Sequence, residues 1–175
     1  MNEIIIIGGG CFWCTEAMFL SLRGILSVES GYCGGHVKFP SYKEVCTGNT
    51  GHAECIRITY DSTELSFEDI IDIHLHTHDP CSLNRQGGDI GTQYRSVIFY
   101  NNVAEKSMIE ARLTHAQLDF DLPIVTTIEK MDIFYPAEDY HQNYYALNKD
   151  KNPYCSTVVS EKLSKMMKKY KERLK

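Results

Sequence analysis

The feature that most restricts how this chain can fold is a β-branched run that ends in three glycines and continues into a helical pattern. Residues 4–7 are all isoleucine, which is typical of a buried strand, and residues 8–10 are all glycine. Residues 13–22 then have the character of a helix. A strand, a tight turn and a helix in direct succession place Cys11 at or near a helix N-terminus.

A cysteine at a helix N-terminus is suited to nucleophilic chemistry. Unpaired backbone N–H groups and the positive end of the helix dipole favour a thiolate, so we expect a lowered pKa for Cys11. The preceding glycines let another molecule approach the sulfur, and the rings of Phe12 and Trp13 supply an apolar wall beside it. The alternative is a buried structural thiol.

Length and charge indicate one compact domain that does not bind nucleic acid. The 175 residues are 43% hydrophobic, which is enough for one domain with a sizeable core. We expect a single catalytic domain over residues 1–155 and a basic amphipathic helix over residues 156–175. The net charge is −5, and the last fifteen residues hold seven Lys or Arg against two Glu. The remaining acidic body argues against nucleic acid as a partner, and no apolar stretch approaches the length of a membrane span.

The cysteines indicate a reducing compartment. They are an odd number, and their scattered spacing does not resemble a disulfide framework. The apolar run at residues 4–7 is too short for a signal peptide and lacks a basic flank, so we expect a cytoplasmic, monomeric protein whose thiols are reduced at rest. The seven are Cys11, Cys14, Cys33, Cys46, Cys55, Cys81 and Cys155.

The order of predicted elements indicates a two-layer α/β fold. Strands are predicted at residues 4–7, 25–32, 53–60 and 96–100, with helices at 13–22 and 67–77. This order is that of a ferredoxin-like split βαβ core. Long loops at 34–51 and 81–95 are available to carry a site. A helix at 102–118, a strand at 124–128 and a helix at 137–147 follow as an extended C-terminal segment.

Glu54 is predicted to be an unusual carboxyl group. Alternation along its strand places it on the same face as Ile56 and Ile58. Apolar surroundings raise the pKa of a carboxyl group, so Glu54 can hold a proton near neutral pH and donate it. The alternative is a glutamate at the edge of the strand that reaches water.

Four short motifs follow one another along the chain. They are Gly10-Cys11-Phe12-Trp13, Gly51-His52-Ala53-Glu54, Gly91-Thr92-Gln93-Tyr94-Arg95 and Phe134-Tyr135-Pro136-Ala137-Glu138-Asp139-Tyr140-His141. In this order they resemble the motifs of the type A peptide methionine sulfoxide reductases. The resemblance implies a two-layer α/β fold and reduction of methionine-S-sulfoxide, free or in proteins, as repair after oxidative damage.

The resemblance also assigns roles within the site. It implies that Cys11 attacks the sulfoxide sulfur and that Glu54 protonates the oxygen. Tyr42 and Tyr94 would donate hydrogen bonds to that oxygen, and Asp89 would arrange the polar side of the pocket. Phe12 and Trp13 would bind the methyl group of the substrate.

Two cysteines are candidates for the thiol that reacts with the resulting sulfenic acid to form a disulfide. The stretch Asn152-Pro153-Tyr154-Cys155 resembles the family's tail motif, which makes Cys155 the first choice as resolving cysteine, in a segment expected to be polar and mobile. The chain departs from the usual family pattern at Cys14, where glycine is common, so Cys14 is the alternative. The resemblance implies thioredoxin as reductant and requires no cofactor or metal.

Two alternative functions are compatible with Cys11 and Cys14. Cys11 and Cys14 form a CxxC pair after a strand, which is typical of a thiol-disulfide oxidoreductase but leaves Glu54 and Tyr94 unexplained. The pair could also join histidines in a zinc site, although a second CxxC is missing. The candidate histidines are His74, His76 and His78.

Overall fold

The structure, a computed structural model, describes all residues from 1 to 175 and is built around a six-stranded sheet. The strands are β1 (Asn2–Gly8), β2 (Ile25–Cys33), β3 (Ala53–Asp61), β4 (Arg85–Gln86), β5 (Asp89–Ile90), β6 (Val97–Tyr100), β7 (Thr127–Lys130) and β8 (Tyr135–Pro136). The α-helices are α1 (Phe12–Leu20), α2 (Tyr42–Cys46), α3 (Phe67–Thr77), α4 (Val103–Ala116), α5 (Tyr144–Asn148) and α6 (Ser160–Lys169).

The strand order confirms the predicted ferredoxin-like core. The sheet runs β7-β6-β1-β3-β2-β8, and its four inner strands pair with one another in antiparallel fashion. The short outer strands are additions, with β7 parallel to β6 and β8 antiparallel to β2. Because β1 lies between β6 and β3, the turn that leaves β1 emerges near the middle of the sheet.

The side chains of β1 divide between two apolar clusters, as the alternation of a strand requires. Ile5 and Ile7 join the main core under the helices, where Phe19 of α1 and Ile70 of α3 also lie. Ile6 points to the other face and joins a smaller cluster. The fold is therefore two layers, with the helices on one face of the sheet.

Helix α3 follows its sequence pattern closely, whereas the predicted helix at 137–147 is wrong. Ser66 and Asp69 form the capping box of α3, and the helix covers the predicted residues. Residues 137–147 instead contain a 3₁₀ turn, Asp139–His141, followed by the short α5. The side chain of Gln142 bonds the backbone of Ser30 in β2, and this tertiary pairing outweighs the local helical pattern.

The two long loops carry local structure that the sequence analysis did not predict. In the first, Ser41 and Glu44 form a capping box that starts α2, although this helix has only five residues. In the second, β4 and β5 form a small hairpin, followed by a 3₁₀ turn at Thr92–Tyr94. Both loops are therefore anchored rather than open.

The C-terminal helix α6 packs by its apolar side. Leu163, Met166 and Tyr170 are half-buried against the main core, and lysines occupy the positions between them. None of the helices combines the length and apolar character that a membrane span needs.

Gly31→Ala should destabilise the chain, because β8 and its neighbour Phe134 lie directly against this glycine. A Cβ atom at residue 31 would lie 2.6 Å from the carbonyl oxygen of Tyr135. Such overpacking lowers the free energy of unfolding by about 1–3 kcal/mol, measurable by urea denaturation. Gly88→Ala is the control, since nothing lies within 4 Å of the added atom. Equal stability of the two variants would contradict the packing of β8.

Candidate active site

Cys11 is the N-cap residue of α1, as its position in the sequence predicted. The backbone of Cys11 is extended, and its carbonyl oxygen accepts a hydrogen bond from the N–H of Cys14 at 3.1 Å. The turn before it depends on Gly10, whose φ is 85° and whose added Cβ would lie 2.9 Å from Cγ of Gln86. The glycine thus allows β1 to turn sharply into α1 and present the thiol.

Glu54 lies at the same helix start. Its side chain is buried, with 1% of the residue exposed, and its Oε1 atom accepts a hydrogen bond from the backbone N–H of Phe12 at 3.2 Å. Burial raises the pKa of Glu54 to about 8, and the Phe12 N–H opposes that shift only in part. The carboxyl group therefore holds its proton at neutral pH, next to the residue that carries the thiol.

The expectation of a lowered pKa at Cys11 is wrong. Burial and the negative charge of an ionised Glu54 raise the pKa of Cys11 well above its ordinary value, while the backbone N–H of Trp13 lowers it. The helix end therefore acts in the predicted direction but is outweighed by desolvation. When Glu54 is protonated, its contribution to the raised pKa of Cys11 disappears.

Tyr42 and Tyr94 come from the two anchored loops. The backbone N–H of Tyr42 donates to Glu138 Oε2 at 3.0 Å, and the carbonyl of Tyr94 accepts from Gly10 N at 3.2 Å. Burial and the negative charge of Glu54 raise the pKa of both phenols, so both remain donors at neutral pH. The structure therefore brings these two predicted donors near the carboxyl group of Glu54.

Asp89 joins the second loop to the C-terminal segment. Its Oδ2 atom accepts a hydrogen bond from the hydroxyl of Tyr154 at 2.8 Å. Burial and this hydrogen bond raise the pKa of Tyr154. Asp89 thus holds in place the residue that directly precedes Cys155.

The two aromatic residues after Cys11 have different surroundings. Phe12 is completely buried, and its ring lies against Tyr42 with centroids 6.4 Å apart, so it supports the site from within. Trp13 is half-buried, with Tyr144 stacked on it at 3.9 Å, and its Nε1 atom donates to Nδ1 of His141 at 3.2 Å.

Sequence reasoning gave no role to four residues that contact the site, namely Glu138, His141, Tyr144 and Tyr154. The first two lie in the fourth matching motif, which was the one available signal for them.

Three thiols form one cluster. Cys14, Cys155 and Val159 are buried together, and Cys11 and Trp13 pack against them. The thiolate charge of Cys14 raises the pKa of Cys11, and that of Cys155 raises the pKa of Cys14. Cys14 is thus close to both of the other cysteines. Its own pKa is raised to about 11, mainly by burial, and the ammonium group of Lys162 opposes this shift.

Cys155, expected in a polar and mobile segment, is itself buried among apolar side chains. The residue has no exposed surface and begins a π-helical turn, Cys155–Val159, that leads into α6. Two tyrosines of α5 pack on this cluster, and their hydroxyl groups bond Asn152 and Ser160. Aromatic packing thus offsets the polar composition of the segment.

The other cysteines lie outside this cluster. Cys33 and Cys55 belong to the small core on the far face of the sheet, Cys46 is exposed, and Cys81 bonds the carbonyl of Leu122. The zinc hypothesis gains no support, because no group of three or more His, Cys, Asp or Glu side chains is arranged so that it could hold a metal ion. Of the candidate histidines, His74 bonds the carbonyl of Gly8, His76 bonds Asp119 and His78 bonds Ser96.

Comparisons with known proteins agree on one family. The chain matches the sequence model of the family described as peptide methionine sulfoxide reductase over residues 3–174. Peptide methionine sulfoxide reductase MsrA from Erwinia tasmaniensis is 54% identical over 97% of this chain and 95% of its own length. The protein of the same name from Saccharolobus solfataricus is 45% identical over 99% of this chain and 97% of its own length.

Solved structures agree as well. Mxr1 from Saccharomyces cerevisiae in reduced form matches with a TM-score of 0.82 at 33% identity, covering 86% of this chain and 88% of that chain. The structure of Mxr1 in complex with Trx2 matches with a TM-score of 0.59 at 21% identity, covering 82% and 84%, which shows the fold alone.

The raised pKa of Glu54 should make stability fall with pH. Between pH 4.5 and about 8 the folded chain retains a proton at Glu54 that the unfolded chain has released. Below this pH window the neutral carboxyl makes its full contribution to the free energy of unfolding. As the pH rises to the upper end of the window, that contribution is lost, which amounts to roughly 3–5 kcal/mol. Glu54→Gln cannot ionise and should lack this loss. Urea denaturation at both ends of the window checks it, and equal losses in both proteins would contradict the assignment.

Proposed function

The chain belongs to the peptide methionine sulfoxide reductase family and is an oxidoreductase that reduces methionine sulfoxide; we propose that it does so with Cys11 as nucleophile and Glu54 as acid. The observation that carries this proposal is the hydrogen bond from Phe12 N–H to Glu54, which holds a neutral carboxyl group at the helix start that bears the thiol. A thiol nucleophile and a neutral acid are the two groups that sulfoxide reduction requires.

In the first step the sulfur of Cys11 bonds to the sulfoxide sulfur as the oxygen is protonated. The resulting hydroxyl group then moves from the substrate sulfur to the sulfur of Cys11 while the bond between the two sulfurs breaks. Cys11 is left as a sulfenic acid, and methionine leaves as a thioether. Glu54 gives its proton to the oxygen and regains one from the Cys11 thiol, so no net proton is consumed. The phenols of Tyr42 and Tyr94, which stay protonated, stabilise charge on that oxygen, and Asp89 fixes the polar side.

Trp13 is the residue proposed to contact the methyl group of the substrate, with Phe12 behind it. An apolar ring suits a group that offers no hydrogen bond. The preference for the S epimer of the sulfoxide, free or in proteins, is part of the same proposal and follows the family.

We propose that Cys14 and Cys155 act in sequence on the sulfenic acid. The thiol of Cys14 condenses with it, releasing water and forming a disulfide with Cys11. Cys155 then attacks the sulfur of Cys14, which frees Cys11 and moves the disulfide to Cys14 and Cys155. The support is the packing of the three cysteines, because Cys14 and Cys155 are buried together and Cys11 packs against them.

The remaining proposals concern context. Thioredoxin is the proposed reductant, supported by the solved complex of Mxr1 with Trx2. We place the protein in the cytoplasm as a monomer engaged in protein repair, in keeping with seven free cysteines. Residues 1–155 are the proposed catalytic domain, with residues 156–175 as its basic helix.

A general disulfide oxidoreductase is not favoured, because disulfide exchange needs no buried neutral acid such as Glu54.

Glu54→Gln should slow methionine formation in a single turnover by about 100-fold, because it keeps the shape and loses the acid. In the native chain that rate should fall as pH rises through about 8, where Glu54 loses its proton. Rapid quenching of reduced enzyme with methionine sulfoxide measures both effects. Glu16→Gln is the matched control, since Glu16 is also a buried carboxyl but bonds Ser30 instead. An unchanged rate in Glu54→Gln would remove Glu54 from the mechanism.

Cysteine variants should separate the two disulfides. Cys11→Ser should abolish turnover, whereas Cys155→Ser should give one methionine per chain and block recycling by thioredoxin. In the native chain the disulfide should join Cys14 to Cys155 and so link two separate tryptic peptides. In Cys155→Ser the disulfide should join Cys11 to Cys14 within a single peptide, since no Lys or Arg separates these two cysteines. Peptide mapping after one turnover shows which forms. Cys81→Ser should behave as the native chain, and normal recycling by Cys155→Ser would contradict the sequence of steps.

A further inference from the structure

A second approach to the thiols opens on the side of α6. A cavity of about 540 Å³ is lined by Cys11 and Cys14, by the end of α3 and by one face of α6. The residues proposed to bind the sulfoxide do not line it, namely Glu54, Tyr42, Tyr94 and Trp13. A substrate on the sulfoxide side would therefore leave this cavity free.

The cavity is positively charged although the chain is acidic. Lys162, Lys165 and Lys169 line it from successive turns of α6, and Asp79 is the one carboxylate in its lining. Lys165 pairs with Glu161 at 3.4 Å, whereas Lys162 and Lys169 pair with no carboxylate. This local excess of positive charge attracts anions.

The histidines facing the cavity are already engaged. Nε2 of His76 lies 3.0 Å from Asp119, and Nε2 of His78 lies 2.6 Å from the hydroxyl of Ser96. Lys169 donates to the carbonyl of His76 at 3.3 Å, so Lys162 is the lysine of the lining that has no polar partner. It is close enough to Cys14 to lower the pKa of that thiol.

We propose that this cavity binds a low-molecular-weight thiol that carries a negative charge, and that such a thiol reduces a disulfide at Cys14 directly. The proposal rests on the proposed function, which supplies a disulfide that includes Cys14. The volume suits a small molecule and excludes a folded protein. A second class of reductant, distinct from a dithiol protein, would then serve the same site.

The exchange balances with two thiols. One thiolate attacks the sulfur of Cys14, a mixed disulfide forms, and the former partner cysteine leaves as a thiolate that takes up a proton. A second thiolate attacks the sulfur of the first small thiol, which releases Cys14 and a small disulfide. Two electrons reach the protein, and both small thiols end oxidised.

Three thiols with the same two-carbon chain provide the test: 2-mercaptoethanesulfonate is anionic, 2-mercaptoethanol neutral and cysteamine cationic. The full chain is first oxidised by one equivalent of methionine sulfoxide, and its disulfide is then reduced by each thiol at low salt. Each rate constant is divided by that of the same thiol with a small neutral disulfide, which removes differences in intrinsic reactivity. We expect the anionic thiol to exceed the cationic one by about tenfold or more, and high salt to remove the preference.

Lysine variants locate the effect. Lys162→Gln should reduce the preference for the anionic thiol, and the combined substitution of Lys162, Lys165 and Lys169 by Gln should abolish it. Lys168→Gln is the matched control, because it removes the same charge from α6 outside the cavity lining.

Two results would overturn the inference: no charge preference in the native chain, or a preference that survives the triple substitution. A triple variant that keeps the preference but loses turnover of peptides with acidic residues beside the sulfoxide would assign the lysines to substrate binding instead. Failure of methionine sulfoxide to generate the initial disulfide would refute the proposed function itself, so the two failures are distinguishable.

Discussion

The site depends on the hydrogen bond between the backbone N–H of Phe12 and the carboxyl group of Glu54. It connects two neighbouring strands, because α1 follows β1 directly and Glu54 lies on β3, the partner of β1. The antiparallel pairing of these strands brings the end of one next to the beginning of the other. The acid and the thiol therefore meet because of the strand order, and neither needs a flexible loop to reach the other.

Burial keeps this site neutral at rest. Desolvation is the largest cause of the raised pKa at Glu54, Cys11, Tyr42 and Tyr94, and all four groups hold their protons at neutral pH. Charge is thus created only when a substrate brings an oxygen atom that can accept a proton. Because these donors are fixed in buried surroundings, each stabilises a developing charge more strongly than it would in solution.

The parts of the molecule that were predictable from sequence are those determined by local pattern. The glycine turn before Cys11, the capping box of α3 and the alternation that buries Glu54 were each predictable within a few residues. The strand order followed from the element order.

The parts that were not predictable depend on contacts between distant segments. Gln142 bonds Ser30 and breaks the helical pattern of its own segment, while Tyr144 and Tyr154 reach the site only in the folded chain. The pKa of Cys11 is a similar case, since a helix end is visible in sequence and the depth of burial is not.

The same short segment that stacks Tyr144 on Trp13 also carries Cys155 into the thiol cluster. Because Tyr144 covers one face of the indole, a ligand can reach that face only after Tyr144 has moved. Tyr144 also packs on the cluster that buries Cys155, so the same movement would uncover one side of this cluster. The covering of the indole and the burial of the Cys155 thiol are therefore linked through one tyrosine side chain.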